Sequence, residues 1–302
     1  HKQKATFLLT WFWGLTAKTV ASALLNHCQK AGRDPCKTFA WQCALCNNQF
    51  RIEATKAEGK YEDFEPFSRM FRHRVETIGS IVALISSWKA PTIINRVWCI
   101  FEIDIASNPA NSIEFAVVLP HDDEEAFTRA LTNEGMKAVY GMYEHVLVQE
   151  ATATAPDDVM NIMRLLDPQV TDTTPVNVPA ERPCFKASSA YRSSQACSAL
   201  NGRVIKVLQN WFVKAAVHSA KQALEARSTM ALAVVSEVLG LLQQAEDWQL
   251  QESLYTSACM LARETNATNT KDYAGLLINM GVNLHERGHI EESMTLFRKA
   301  EQ

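Results

Sequence analysis

In this 302-residue chain, Glu102 is the side chain whose setting most invites chemistry. It stands four residues after Trp98 in Arg96-Val-Trp98-Cys99-Ile-Phe-Glu102, a helical pattern in which the indole and the carboxyl share one face. Trp11, Trp13, Ser86 and Trp88 lie in short segments that follow strand-like runs. Aromatic faces of this kind can stack a planar ring. A carboxylate among them can hold sugar hydroxyls and stabilise positive charge developing at an anomeric carbon, as in glycoside chemistry. The structural alternative is plain. Trp98 and Cys99 pack against a sheet, and Glu102 pairs with Arg96 or a nearby lysine on a solvated face.

Other constellations carry less. Cys43-Ala-Leu-Cys46 has C-x-x-C spacing with Cys36 nearby, but a structural zinc site needs four ligands and no second pair is evident. Asn47-Asn48-Gln49 is a poor helix start, which counts against a thioredoxin-like motif. Buried thiols at a strand end are the expectation, and no metal ligand set is assigned. His121-Asp-Asp-Glu-Glu125 reads as a helix N-terminus whose acids answer its dipole. No Gly-x-Gly-x-x-Gly, Walker A, His-Glu-x-x-His or Gly-x-Ser-x-Gly motif occurs, which argues against dehydrogenase, P-loop, zincin and α/β-hydrolase chemistry.

The elements that must position Glu102 alternate in type over the first ~165 residues. Strands are expected at Ala5–Trp13, Thr38–Leu45, Ser80–Ser86, Ile113–Leu119 and Tyr143–Gln149, with helices near 16–31, 65–78, 91–107, 121–135 and 156–166. Continuous apolar runs such as Ile81-Val-Ala-Leu-Ile85 suit strands covered on both faces. Right-handed crossovers then favour a flavodoxin-like, doubly wound, five-stranded parallel sheet in the order 2-1-3-4-5. Its ligand crevice lies where the order reverses, at the carboxyl ends of strands 1 and 3. The loops Trp11-Phe-Trp13-Gly14 and Ser86-Ser-Trp88-Lys89 fall there, so a pocket of Trp11 or Trp13, Ser86, Trp88, Trp98 and Glu102 is the geometric expectation.

Three segments result: an α/β domain over 1–166, a linker or long loop over 167–202 rich in Thr, Ser and Pro, and an all-α segment over 203–302. The last contains an internal repeat. Tyr255 and Ala258 recur as Phe297 and Ala300, an offset of 42 residues (297 − 255), and Leu242 recurs as Leu284. Each copy reads as a helical hairpin, the unit of helical solenoids. Two such units are few for a solenoid, so either the helix around 203–225 is expected to cap them or the protein is expected to continue past Gln302.

Composition narrows the class. With 47% hydrophobic and 21% charged residues the chain can bury a substantial core. A net charge of −3 gives no electrostatic reason to expect nucleic acid or an anionic membrane as partner. No apolar run approaches the ~20 residues that span a bilayer. Eight scattered cysteines fit a reducing, cytoplasmic compartment better than a disulfide framework.

Two resemblances follow. Tyr273-Ala-Gly-Leu-Leu-Ile-Asn-Met-Gly281-Val-Asn-Leu284-His-Glu-Arg-Gly288, then Phe297 and Ala300, resembles a tetratricopeptide repeat, with Ser293 in place of the usual alanine. The spacing is similar to that of kinesin light chain repeats; the copy at 232–265 has Leu239 where the first glycine belongs. The N-terminal domain resembles the Toll/interleukin-1 receptor (TIR) family in Ile81-Val-Ala-Leu-Ile-Ser86-Ser87, in Trp98-Cys99-Ile-Phe-Glu102 and in the opening Phe7–Gly14. More distantly, Trp41-Gln-Cys43-Ala-Leu-Cys46-Asn-Asn-Gln49 is similar to the heterokaryon-incompatibility signature, with Cys43 where that family has aspartate. The resemblances imply an intracellular signalling or scaffold protein whose TIR-like domain self-associates. Its repeats, framed by Gly281, Leu284, Gly288, Phe297 and Ala300, would offer a groove to a protein partner. The alternative they imply is an NAD⁺ glycohydrolase with Glu102 catalytic. No cofactor is implied, and NAD⁺ would be a substrate.

Overall fold

The computed structural model describes residues 4–46, 50, 54, 58–59, 64–134, 147–166, 168, 174–179, 184–188 and 194–301. The chain divides into two compact units, residues 1–124 with 142–207, and residues 125–141 with 208–302.

The first unit is built on a parallel sheet. Its strands are β1 (Phe7–Thr10), β2 (Ala40–Trp41), β3 (Ser80–Leu84) and β4 (Glu114–Val118), in the order β2-β1-β3-β4. Leu8 pairs with Ile81 and with Trp41, and Ile81 pairs with Phe115. Every residue of β1 and β3 is buried, as continuous apolar runs require, whereas β4 is buried only at Val118. Side chains alternate across a strand, so Phe7, Leu9, Val82, Leu84 and Val118 project to one face. There they meet Val20 and Ala23 of α1 (Ala17–Lys30). That helix starts where Thr16 Oγ1 accepts from the Thr19 amide at 3.1 Å, and places Lys30 in its last turn.

The helices that follow are a single turn α2 (Cys43–Cys46), α3 (Phe64–Ile78), α4 (Val97–Ser107), α5 (His121–Glu134), which begins in the first unit and continues in the second, and α6 (Pro156–Leu166). A 3₁₀ turn at Thr92–Asn95 precedes α4. The second strand expected at Thr38–Leu45 is shorter than its apolar pattern, because the chain turns helical at Cys43. The fifth strand expected at Tyr143–Gln149 requires correction. Its residues 143–146 lie outside the described residues, and Val148–Glu150 is a 3₁₀ turn.

The next strand, β5 (Thr152–Ala153), joins a separate antiparallel sheet with β6 (Val176–Asn177) and β7 (Phe185–Lys186), in the order β5-β7-β6. Within 167–202, expected as a linker or loop, the described residues therefore hold two short strands. They also hold the start of α7 (Gln195–Glu225), eight residues before the helical region expected from Arg203.

The second unit continues in helices. After α7 come α8 (Ala231–Gln244), α9 (Trp248–Glu264), α10 (Lys271–Glu286) and α11 (Ile290–Ala300), with α10 packed on α8, α9 and α11. The turns share one construction. After α7, α8, α9 and α10, a residue of positive φ (Arg227, Glu246, Asn266, Gly288) sends its amide to the third carbonyl back. The following amide reaches the fifth carbonyl back, giving four Schellman caps. No helix among the described residues is long and apolar enough to cross a membrane.

Candidate functional site

Glu102 sits midway along α4, a helix whose buried residues (Val97, Cys99, Ile100, Phe101, Glu102, Ile103, Ile105) run round most of its circumference. A helix apolar on all sides is an interior helix, and it carries its one central carboxyl inside with it. Glu102 is 7% exposed and makes no ion pair among the described residues. Burial pushes its carboxyl up to about 8, an effect that Thr10, the last residue of β1, partly offsets. The same threonine lies beside Cys99, whose thiol burial pushes up to about 12, with the Glu102 carboxyl acting in the same direction. Cys99 Sγ donates to the Trp11 carbonyl at 3.7 Å, tying α4 to the end of β1. Among the described residues, buried Thr10 Oγ1 forms no hydrogen bond of full geometry and buried Trp11 Nε1 meets no acceptor.

The structure thus brings Glu102, Cys99, Thr10 and Trp11 together at the carboxyl end of β1, where the strand order reverses. It corrects the expectation that Glu102 pairs with Arg96 on a solvated face. Arg96 Nη2 instead donates to Thr154 Oγ1 at 3.2 Å. Thr10 was not singled out in the sequence. Its signal was its place as the strand's terminal residue next to the glycine-turn loop.

The aromatic residues divide differently from the expected pocket. The Trp98 indole N–H donates to Asp158 Oδ2 at 2.9 Å, and its ring meets Phe64, Phe71 and Phe101. Trp98 is thus engaged with Asp158 and with the rings of Phe64, Phe71 and Phe101. Trp88 is 3% exposed with the Lys89 ammonium over its ring, Ser86 is half-buried, and Trp13 is 59% exposed. The Cys43 and Cys46 side chains are half-buried and exposed, which corrects their expected burial; Cys46 Sγ accepts from the Gln42 amide. All eight cysteines are free, with Cys28, Cys99, Cys197 and Cys259 buried.

In the second unit the repeat framework is visible as contacts. A Cβ on Gly281 would lie 2.6 Å from the Phe297 ring, so the glycine lets α11 approach α10. Gly288 supplies the positive φ of the turn between them, φ 83°. Ser293 Oγ, fully buried, donates to the Gly281 carbonyl at 2.7 Å. In the preceding hairpin Gln251 Nε2 donates to the Leu239 carbonyl at 3.0 Å. Gln251 and Ser293, like Leu239 and Gly281, are one repeat apart. Between hairpins, Asn283 Nδ2 donates to Gln251 Oε1, and Asn279 Nδ2 to the Ser236 carbonyl at 2.8 Å. Leu284 is half-buried beside this network, and Ala300 closes α11.

No protein-family model, curated protein or solved structure matches this chain.

Proposed function

We propose that this chain is a protein-interaction scaffold, in which a TIR-like α/β domain self-associates and tetratricopeptide-like hairpins engage a partner protein. The observation that carries the reading is the recurrence, one repeat apart, of a single packing device: the Gln251–Leu239 and Ser293–Gly281 bonds within hairpins. A repeated hairpin, stacked through Asn279 and Asn283, is the architecture that presents extended surfaces to other proteins. Supporting the TIR-like part, the parallel sheet follows the 2-1-3-4-5 order through its fourth strand.

NAD⁺ cleavage by Glu102 is the second reading, favoured by that residue's place with Thr10 at the carboxyl end of β1. Protonation weighs against it. Burial pushes this carboxyl up from its ordinary value to about 8, which disfavours at neutral pH the charged form that would stabilise a developing cation.

Two measurements on the full chain test the choice. Wild type at high concentration under crowding should leave NAD⁺ intact, and affinity capture from cells should return one set of proteins with wild type and Glu102→Ala. That set should be lost on Ile278→Glu, which charges an exposed residue of α10. NAD⁺ loss that disappears with Glu102→Ala would replace the scaffold reading by the enzyme reading.

A further inference from the structure

Cys28, Cys99, Cys197 and Cys259 are buried, and the folded chain shields their thiols from reagents. Cys43 and Cys46 are half-buried and exposed, and they are the two ends of α2. Helical geometry sets the Cα atoms of residues three apart about 5 Å from each other, on one face. That separation lies inside the range a disulfide spans. A helix start at Asn47-Asn48-Gln49 is not required for such a pair, since the turn itself runs from Cys43 to Cys46.

The turn also aims one sulfur. The Gln42 carbonyl accepts from the amides of Leu45 and Cys46, at 3.0 and 2.8 Å. In return the Gln42 amide donates to Cys46 Sγ at 3.4 Å. Cys46 Sγ is thereby folded back along the turn to the residue that precedes Cys43. The amide is placed to donate to the charged sulfur of a thiolate, the form that attacks a disulfide. Cys36, also exposed, lies in a separate 3₁₀ turn, Pro35–Lys37, where its amide donates to Asp34 Oδ1 at 2.9 Å. Among the described residues no group of three or more His, Cys, Asp or Glu is arranged to hold a metal ion, so the pair stands as a dithiol.

We propose that Cys43 and Cys46 form a reversible dithiol–disulfide site on the first unit, oxidised by low-molecular-weight disulfides. Cys46, the exposed member, gives its proton to solvent and attacks one sulfur of glutathione disulfide. The S–S bond of that molecule breaks, one glutathione leaves as a thiolate and takes up a proton, and a mixed disulfide forms on Cys46. Cys43, likewise deprotonated, then attacks Cys46 Sγ. The Cys43–Cys46 bond forms as the second glutathione leaves and is protonated. Two cysteine thiols have lost two electrons and two protons, and one glutathione disulfide has become two thiols. Excess thiol runs the same steps backwards. The bond ties the two ends of α2 directly after β2, the edge strand that pairs with β1 and carries Trp41 against Phe71. Oxidation thus clamps the chain where it leaves the sheet.

The test incubates the full chain with glutathione disulfide, blocks the remaining thiols with N-ethylmaleimide, and weighs the tryptic peptides by mass spectrometry. Trypsin cuts after Arg33, Lys37 and Arg51, which puts Cys43 and Cys46 together on the peptide 38–51 and Cys36 on another. Wild type and Cys36→Ser are expected to give peptide 38–51 lighter by two hydrogens and unblocked, and dithiothreitol should return both cysteines to the blocking reagent. Cys43→Ser should stop with one glutathione on Cys46, before Cys43 has reacted in Cys46→Ser. A synthetic peptide of residues 38–51, which no sheet holds, should link more slowly than the folded chain. Linkage through Cys36, a mixed disulfide on wild-type Cys46 that goes no further, or both cysteines blocked overturns the proposal. So does equally fast linkage in the free peptide, or faster reaction of Cys43 than of Cys46 in the single variants.

Discussion

Gln251 and Ser293 perform one task a repeat apart: each reaches from the second helix of its hairpin to the backbone carbonyl facing it on the first, Leu239 and Gly281 respectively. They differ in reach. The amide of Gln251 also accepts from Asn283 of the next hairpin, whereas the Ser293 hydroxyl is spent within its own.

Substitution at Gln251 is therefore expected to cost more when made alone than when its partner goes too. Gln251→Leu takes away the acceptor of buried Asn283 Nδ2, beside an Oδ1 that has no partner among the described residues. An orphaned buried group costs about 1–3 kcal/mol. Urea unfolding followed by far-UV circular dichroism should show Gln251→Leu/Asn283→Leu recovering part of the loss of Gln251→Leu. A simple sum of the two single effects would mean that the pair does not interact.

Gly281→Ala is expected to destabilise the second hairpin by about 1–3 kcal/mol, since overpacking of this kind forces side chains off their preferred rotamers. The new methyl group meets the Phe297 ring at 2.6 Å. Phe297→Leu in the same chain should restore much of the thermal midpoint by vacating that contact. Failure of the rescue would place the cost in the backbone instead.

The turn between α8 and α9 uses Glu246 at φ 55°, where the next repeat uses Gly288 at φ 83°. A side chain at positive φ costs about 1–2 kcal/mol, so Glu246→Gly should raise stability, by less than this because glycine also loosens the unfolded chain. A raised thermal midpoint checks the direction. Gly288→Ala, the mirror experiment, should lower it.

These relationships show what was legible in the sequence. The repeat was readable because a fixed offset links residues of matching size, and the glycines at 281 and 288 occupy positions where packing and backbone geometry admit little else. The first four strands were readable from short apolar runs, with boundaries set by turn chemistry that the runs do not encode. Cys43 sits in an apolar stretch yet begins a helical turn. Glu102 was readable as a special residue but not in its surroundings. Helical spacing puts Trp98 on its face, while Thr10, beside Glu102, and Asp158, which accepts from the Trp98 indole, come from distant parts of the chain.

Glu102 also gives the first unit a pH dependence whose sign follows from its pKa. Unfolded, the carboxyl titrates near 4.5; folded, it is held up to about 8 by burial. Between these values the native state keeps a proton that the unfolded state has released, so folding becomes less favourable as pH rises. The contribution is fully present below about pH 4.5, fades by up to about 1.4 kcal/mol per pH unit, and has gone above about pH 8. Glu102→Gln, neutral throughout, should flatten this slope and make the unit more stable than wild type at pH 8. Urea midpoints between pH 5 and 8 provide the check. Tryptophan fluorescence reports mainly on this unit because five of the seven tryptophans, Trp11, Trp13, Trp41, Trp88 and Trp98, lie within it. Equal slopes for wild type and Glu102→Gln would show that the carboxyl is ionised in the folded chain. That result would remove the protonation argument against a catalytic Glu102 and return NAD⁺ cleavage to first place.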